Sequence, residues 1–294
     1  MNLLMCCTPI NRDATYESEL RFPILASLFY RRLNPQGRVF VATTMDAKIP
    51  DWTAEYFDVI RYDFRAAPFS IMRQKFYQTF VESELFTDDT ILAGCDVLFT
   101  GRPMPKLPKH KMLMSYRYNP AMPYCGDLFI ARHEHKAYAS QFFGELFETM
   151  RWMPQKIWDG GGDQLAQVIA AGKLPEWAFD GGSHYAPLDK SILLVPGDDW
   201  LYTPNDFFPS QKAKFTGESL GDVAGPDALL RLMDAKISVH FKGQRKAQFF
   251  LLAYLAHKNG LIDSAAITEK LGEQFLFREV FNVEQIKKEA AGAL

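Results

Sequence analysis

This chain lacks several features, and each absence excludes a class of protein. No apolar run reaches the roughly 18 residues that a membrane-spanning helix needs, so no transmembrane segment is predicted. Neither sign of charge dominates: 33 Lys and Arg face 35 Asp and Glu, for a net charge of −2. Nothing global therefore calls for a polyanion partner, although a local basic patch is compatible with that balance. No G-x-G-x-x-G follows a strand-like segment, which argues against a nicotinamide-dependent dehydrogenase. Cysteine is scarce. Cys6, Cys7, Cys95 and Cys125 lie in apolar surroundings without metal-type spacing. Adjacent Cys6 and Cys7 point to opposite faces of a strand, which disfavours a disulfide between them, and a reducing, cytoplasmic location fits best. The opening "MNLLMCCTPINRD" has no basic leader and no small-residue cleavage site, so it is expected to be a first strand and not a signal peptide.

With 48% hydrophobic and 23% charged residues, the composition is that of a globular protein. Strand and helix patterns alternate through the first half. "NLLMCCT", "GRVFVATT" and "YFDVIRYDF" predict strands, while "YESELRFPILASLFYRRL" and "FSIMRQKFYQTFVESELF" carry apolar residues at helical spacing. "KMLMSYRY", "YCGDLFIARH", "SILLVPGDDWLYTP" and "KISVHFKG" predict later strands. "HKAYASQFFGELFETM", "GGGDQLAQVIAAG" and "RKAQFFLLAYLAHKNG" predict helices, the second stopping at Gly172 and the last at Asn259 and Gly260. The alternation predicts an α/β fold, a sheet flanked by helices. No repeat or clean linker divides the chain, so 1–294 is expected to form a single domain. The tract "NDFFPSQKAKFTGESLGDVAGPD" is long enough to suggest a functional loop.

One residue is out of keeping with its surroundings. In "DDTILAGCDVLFTG" the run around Asp96 is apolar enough to predict a single buried strand. A carboxylate there is costly unless something positive or polar meets it. Alone, Asp96 could simply cap a turn or accept backbone amides. The segment "VHFKGQRK" offers a counterpart. His240 ends a strand, Gly243 allows close backbone approach, and Arg245 and Lys246 are cationic. A strand-end histidine is most often just a satisfied polar residue, but with Asp96 it makes a pair of ligands that diphosphate oxygens and water could complete around Mn²⁺ or Mg²⁺.

These segments, taken in order, resemble the GT-A nucleotide-sugar glycosyltransferases, particularly the retaining, glycogenin-like kind. "MRQKFYQTF", "ILAGCDVLF", "PYCGDLFIAR", "GGGDQLAQ" and "HFKGQRK" stand where that family has a charged helix, Asp-x-Asp, an Asn-Ser-Gly strand, an Asp-Gln helix start and His-Phe-x-Gly-x-x-Lys. The likeness runs from about residue 2 to 250. Gly94 departs from it where the first aspartate would stand, Tyr124 replaces the asparagine, and Ala247 and Gln248 replace Pro-Trp.

The resemblance implies a GT-A mixed sheet with a nucleotide-binding half (1–100), an acceptor and sugar half (101–260) and a C-terminal helical extension (261–294). It implies a metal-dependent transferase acting on a nucleoside diphosphate sugar, with UDP as the nucleotide, with retention, and with a hydroxyl acceptor. Asp96 and His240 would hold Mn²⁺ or Mg²⁺. Asp163, Gln164, Asp127 and Lys246 would carry the chemistry. Thr8, Arg73, Lys75, Gly94, Cys95, Gly126 and Gly243 would line the donor. Bland alternatives stand beside these roles. Asp163 after its glycines also suits a helix N-cap, and Arg73 and Lys75 suit a solvated helix face. Arg102, Lys106, Lys109, Lys111 and Arg117, interleaved with Tyr116 and Tyr118, could grip an anionic acceptor such as modified DNA. A solvated surface, with a saccharide as acceptor, is the favoured reading. The rivals are a sugar nucleotidyltransferase, disfavoured because "CCTPINRD" lacks the glycine-rich loop it would need, and a binding module that has lost catalysis.

Overall fold

The structure is a computed structural model. It describes residues 1–7, 16–64, 69–101, 110–116, 124–154, 162–171, 191–196, 200–201, 230–231, 233, 235–241 and 246–281, with the backbone alone at 16–18, 162–163, 196 and 246–247. Its centre is a seven-stranded sheet of β1 (Asn2–Cys6), β2 (Val39–Thr44), β3 (Asp58–Tyr62), β4 (Thr90–Gly94), β6 (Met112–Tyr116), β7 (Tyr124–Ala131) and β8 (Ile192–Pro196). These lie in the order β3-β2-β1-β4-β7-β6-β8. β7 is antiparallel to both its neighbours, and every other pairing is parallel. A second sheet pairs β5 (Val97–Phe99) with β9 (Ser238–His240). The predicted α/β sheet is therefore present, and it is mixed.

The continuous apolar strands arise because both faces of the sheet are covered. Leu3, Met5, Val39, Val41, Ile91 and Ala93 face one core, which also takes Ile24, Leu25 and Phe29 of α1 (Tyr16–Leu33) and Phe249, Leu252 and Ala253 of α5 (Lys246–Lys258). Their strand neighbours Leu4, Cys6, Phe40, Ala42 and Leu92 face the other core. That core is closed by Phe76, Tyr77 and Phe80 of α2 (Phe69–Glu82), Phe142, Phe143 and Leu146 of α3 (Lys136–Trp152), and Ala166 and Val168 of α4 (Gly162–Ala170). This period-two division is what strands covered on both sides require. α5 stops as expected: Gly260 takes a positive φ of 64°, and the Leu261 N–H donates to the Ala256 carbonyl at 2.8 Å.

The structure corrects the expectation of one strand running through Asp96. β4 ends at Gly94, Cys95 and Asp96 form a turn, and β5 leaves for the smaller sheet. Burial of the carboxylate inside a central strand would have carried a desolvation cost. The turn instead leaves the Asp96 side chain 19% exposed. The "NDFFPSQKAKFTGESLGDVAGPD" tract, Gly172, and Arg102, Lys106, Lys109 and Arg117 of the basic segment lie outside the described residues. Lys111 is described, and its ammonium sits 5.0 Å from the Tyr138 ring centroid.

A buried charge ties the first helix to the last described helices. Arg21 of α1 donates to both carboxylate oxygens of Glu279 at 2.7 Å and to the carbonyls of Phe275 and Leu276 at 3.2 Å. Its guanidinium lies 4.3 Å from the Phe250 ring centroid. These contacts fix α6 (Ala265–Leu271), α7 (Glu273–Leu276) and the turn after them against the first helix. Burial tends to raise the Glu279 pKa, but Arg21 more than reverses this and holds it below the usual 4.5. A depressed carboxylate contributes stability above its unfolded pKa and loses it as pH falls through the folded value. Glu279→Ala, which strands a guanidinium only 1% exposed, is expected to cost about 3 kcal/mol. Urea melts of the variant and the wild type should differ by that amount at neutral pH and converge below pH 4.5.

Candidate functional site

The turn after β4 brings together residues that are far apart in sequence. β5 and β9 pair antiparallel, with Val97 opposite His240, and the Phe241 N–H donates to the Asp96 carbonyl at 3.1 Å. That pairing sets the His240 ring beside the Asp96 side chain, with Nε2 3.6 Å from Oδ1. From the other side comes Asp127 of β7, whose Oδ2 lies 3.7 Å from the same Nε2. The expected meeting of Asp96 and His240 is therefore present, and a second carboxylate joins it.

Asp127 reaches this place through an irregularity in its strand. β7 pairs with β6 as Phe129 opposite Met114 and then Cys125 opposite Ser115, so Gly126, Asp127 and Leu128 bulge out of the ladder. Cys125 and Leu128 face the same core although three positions separate them. Bulges of this kind re-aim side chains near functional sites. Asp127 is then held by Arg73 of α2, whose Nη1 donates to Oδ1 at 2.5 Å. Arg73 is only 6% exposed. It is thus a buried partner of the site, and the alternative of a solvated helix face does not describe it. Lys75 differs. It donates to Gln78 at 3.0 Å and lies 5.3 Å from the Phe147 ring centroid, within the α2–α3 contact.

Gly94 has a steric role. A Cβ there would stand 2.7 Å from Asp96 Oδ1 and 3.7 Å from Asp127 Oδ1. Any side chain at 94 would displace the Asp96 carboxylate, so the space belongs to residues 96 and 127. Cys95 is partly buried in the turn, and Gly126 is buried in β7. Gln164, on α4, is 3% exposed. Asp163 and Lys246 are placed by their backbone, as the second residue of α4 and the first of α5. Thr8 and Gly243 lie outside the described residues.

The sequence did not single out Cys125. Its thiol, buried at 1% exposure, sits with Asp127 and His240 so that the ligand atoms of all three lie within 4.8 Å of one another. The expectation that no cysteine has metal-type company is thereby corrected. The company is assembled in space, by His240 arriving from residue 240. The local signal was Cys-Gly-Asp, which places a thiol and a carboxylate two apart on a strand.

The charges account for the state of the histidine. Burial pulls the His240 pKa down, but Asp127 and then Asp96 outweigh it and raise it from 6.5 to about 10. Without an ion, the imidazolium neutralises one carboxylate and Arg73 the other. Imidazole, carboxylates and a thiol are donors that a divalent cation accepts, and an ion would take the place of the proton.

No family model matches the chain, and no curated protein matches it in sequence. Solved structures do. One is a glycosyltransferase involved in glycosylation of the major capsid of PBCV-1, 9% identical, with 87% of this chain and 98% of that chain covered and a TM-score of 0.48. Another is the glycosyltransferase GlyE of Streptococcus pneumoniae TIGR4, 11% identical, with 94% and 64% covered and a TM-score of 0.48. Its apo form covers 89% and 64%, also at 11% identity and a TM-score of 0.48. The chain thus spans a little under two thirds of the GlyE chain.

The raised His240 pKa fixes the direction of a pH effect. A group whose pKa rises on folding contributes stability that is complete below its unfolded pKa, here 6.5, and is lost as pH passes its folded value near 10. An ion must displace that proton. Cation affinity is therefore expected to strengthen by at least about tenfold per pH unit across that window. Calorimetric titration in buffers of differing ionisation enthalpy would show proton release from the wild type and less from His240→Ala.

Proposed function

We propose that this chain is a cation-dependent glycosyltransferase that moves a sugar from a nucleoside diphosphate sugar, a UDP-sugar by the resemblance, to a hydroxyl acceptor. One observation carries the reading: Asp96, Asp127, His240 and Arg73 converge where β4 ends. β1 and β4 lie side by side there, with Cys6 opposite Gly94, while the connections from β1 run outward to β2 and β3. Open α/β sheets bind ligands beyond the carboxyl ends of their strands at such a switch point. The donor set fits a divalent cation, and a divalent cation fits a diphosphate. Bound there, it would neutralise the departing diphosphate as a Lewis acid.

The chain's own residues divide the remaining work. Arg73 fixes the Asp127 carboxylate against His240, and the Asp96 turn holds the second carboxylate across from it. α5 begins just past His240, and a helix N-terminus favours phosphate through its free amides. Lys246, its first residue, adds a charge-assisted bond to the same oxygens. Gln164 stands beside the anomeric carbon and Asp163 takes sugar hydroxyls, while Thr8, Cys95, Gly126 and Gly243 line the donor. Retention, a cytoplasmic setting, a saccharide acceptor and a single domain with nucleotide-binding and acceptor halves complete the reading.

Two measurements test it. Nucleotide sugars with a divalent cation are expected to raise the melting temperature more than either alone, since a ligand bound only to the folded state stabilises it. Asp96→Asn should abolish that synergy while remaining folded, and a shift indifferent to the cation would overturn the proposal. Lys246→Ala should lower turnover ~10²-fold with little change in donor affinity, because charge on the leaving diphosphate grows in the transition state. Donor binding without any cation-dependent hydrolysis or transfer would point instead to a catalytically silent binding module.

A further inference from the structure

Resting on the cation site just described, we propose that Cys125 is a thiolate ligand of the ion, and that the site accordingly selects a zinc-class cation over Mg²⁺ or Mn²⁺. The ligands are Cys125 Sγ, Asp127 Oδ2 and His240 Nε2, with Asp96 beside the histidine.

The geometry supports this set. Cys125 Sγ stands 3.9 Å from Asp127 Oδ2, which stands 3.7 Å from His240 Nε2. Around tetrahedral zinc, with bonds of about 2.0–2.1 Å to N and O and about 2.3 Å to S, neighbouring ligand atoms lie roughly 3.3–3.6 Å apart. The Cys–Asp and Asp–His edges need to close by only a few tenths of an ångström, and the third edge, Cys125 to His240, lies within 4.8 Å. Mg²⁺ prefers an octahedron of oxygens, and a sulfur and an imidazole among the nearest donors suit it poorly.

Burial and strand geometry point the same way. The thiol is 1% exposed, and Asp127 follows it by two positions on the same strand. Asp127 offers Oδ2 to the site while Arg73 holds Oδ1. An outer partner that fixes a ligating carboxylate in this way is a usual feature of metal centres. Protein ligands from Cys, Asp and His, with one position left for substrate, match the layout of catalytic zinc and not the closed layout of structural zinc. The fourth position is where a diphosphate oxygen would enter.

The test uses Co²⁺ as a spectroscopic substitute, added to the chelator-treated full chain. A near-ultraviolet thiolate-to-cobalt charge-transfer band, with intense visible bands of a tetrahedral ion, is expected at one equivalent. Zn²⁺ should bleach the spectrum, and a large excess of Mg²⁺ should not. Cys125→Ser should remove the near-ultraviolet band and weaken Co²⁺ binding by at least the ~10- to 100-fold that loss of an outer-shell partner costs. Cys7→Ala, which alters a thiol with no part in the site, should leave the band intact. The wild-type spectrum is decisive even if the serine variant folds poorly. Co²⁺ bound without a thiolate band, or a band that persists in Cys125→Ser, would overturn the thiolate assignment and leave the cation site standing. Failure of the wild type to bind any divalent ion would overturn both.

Discussion

The site depends on one carboxylate shared between two cations. Asp127 gives one oxygen to Arg73 and turns the other toward His240, at a point where all three are largely removed from water. Breaking such an arrangement by removing one member is costly, because the others are left buried with uncompensated charge. The arrangement therefore constrains its surroundings. α2 must approach β7 closely enough for Arg73 to reach, β7 must bulge so that Asp127 turns out of the sheet, and β9 must pair with β5 so that His240 arrives from the far end of the chain. None of these features is needed by the apolar core as such. They make sense as supports for a polar centre that the core alone would not tolerate.

The sheet supplies the frame that makes the sharing possible. The strands that border the site, β1 and β4, are buried along their whole length between two apolar layers, so their carboxyl ends are held rigidly. β7 runs against them and delivers Cys125 and Asp127 near its own beginning, beside the end of β4. The single reversed strand thus lets the end of one segment and the start of another meet. An all-parallel sheet would have placed the residues of β7 with that alignment at the opposite edge.

Much of this was legible in the sequence, and the limits are physical. Helices such as 16–33 and strands such as 39–44 announce themselves because local periodicity alone decides them. Asp96 and His240 were legible because a charge in an apolar run demands a partner. The break at Asp96 was missed because an apolar run looks alike whether it crosses one sheet or passes between two. The pairing of Arg73 with Asp127 was not legible, since an arginine on a helix has the same local pattern whether buried or solvated. Cys125 was missed for a related reason. A thiol among apolar residues reads as core until its distant neighbours are known.

Gly94 shows how the parts depend on one another. Position 94 carries no side chain, and its surroundings suit that. A Cβ at that position would run into Asp96 Oδ1 and press on Asp127. The Asp96 carboxylate occupies that volume, and the second carboxylate of the site comes from β7. A carboxylate on β7 has consequences for its neighbours. Asp127 brings Cys125 with it, two residues earlier on the same strand, and it needs Arg73 behind it because it approaches from the α2 side. The glycine, the arginine and the thiol thus belong to one arrangement. Each would be unexplained alone, and together they describe a centre whose donors differ in kind, and not only in position, from a pair of aspartates.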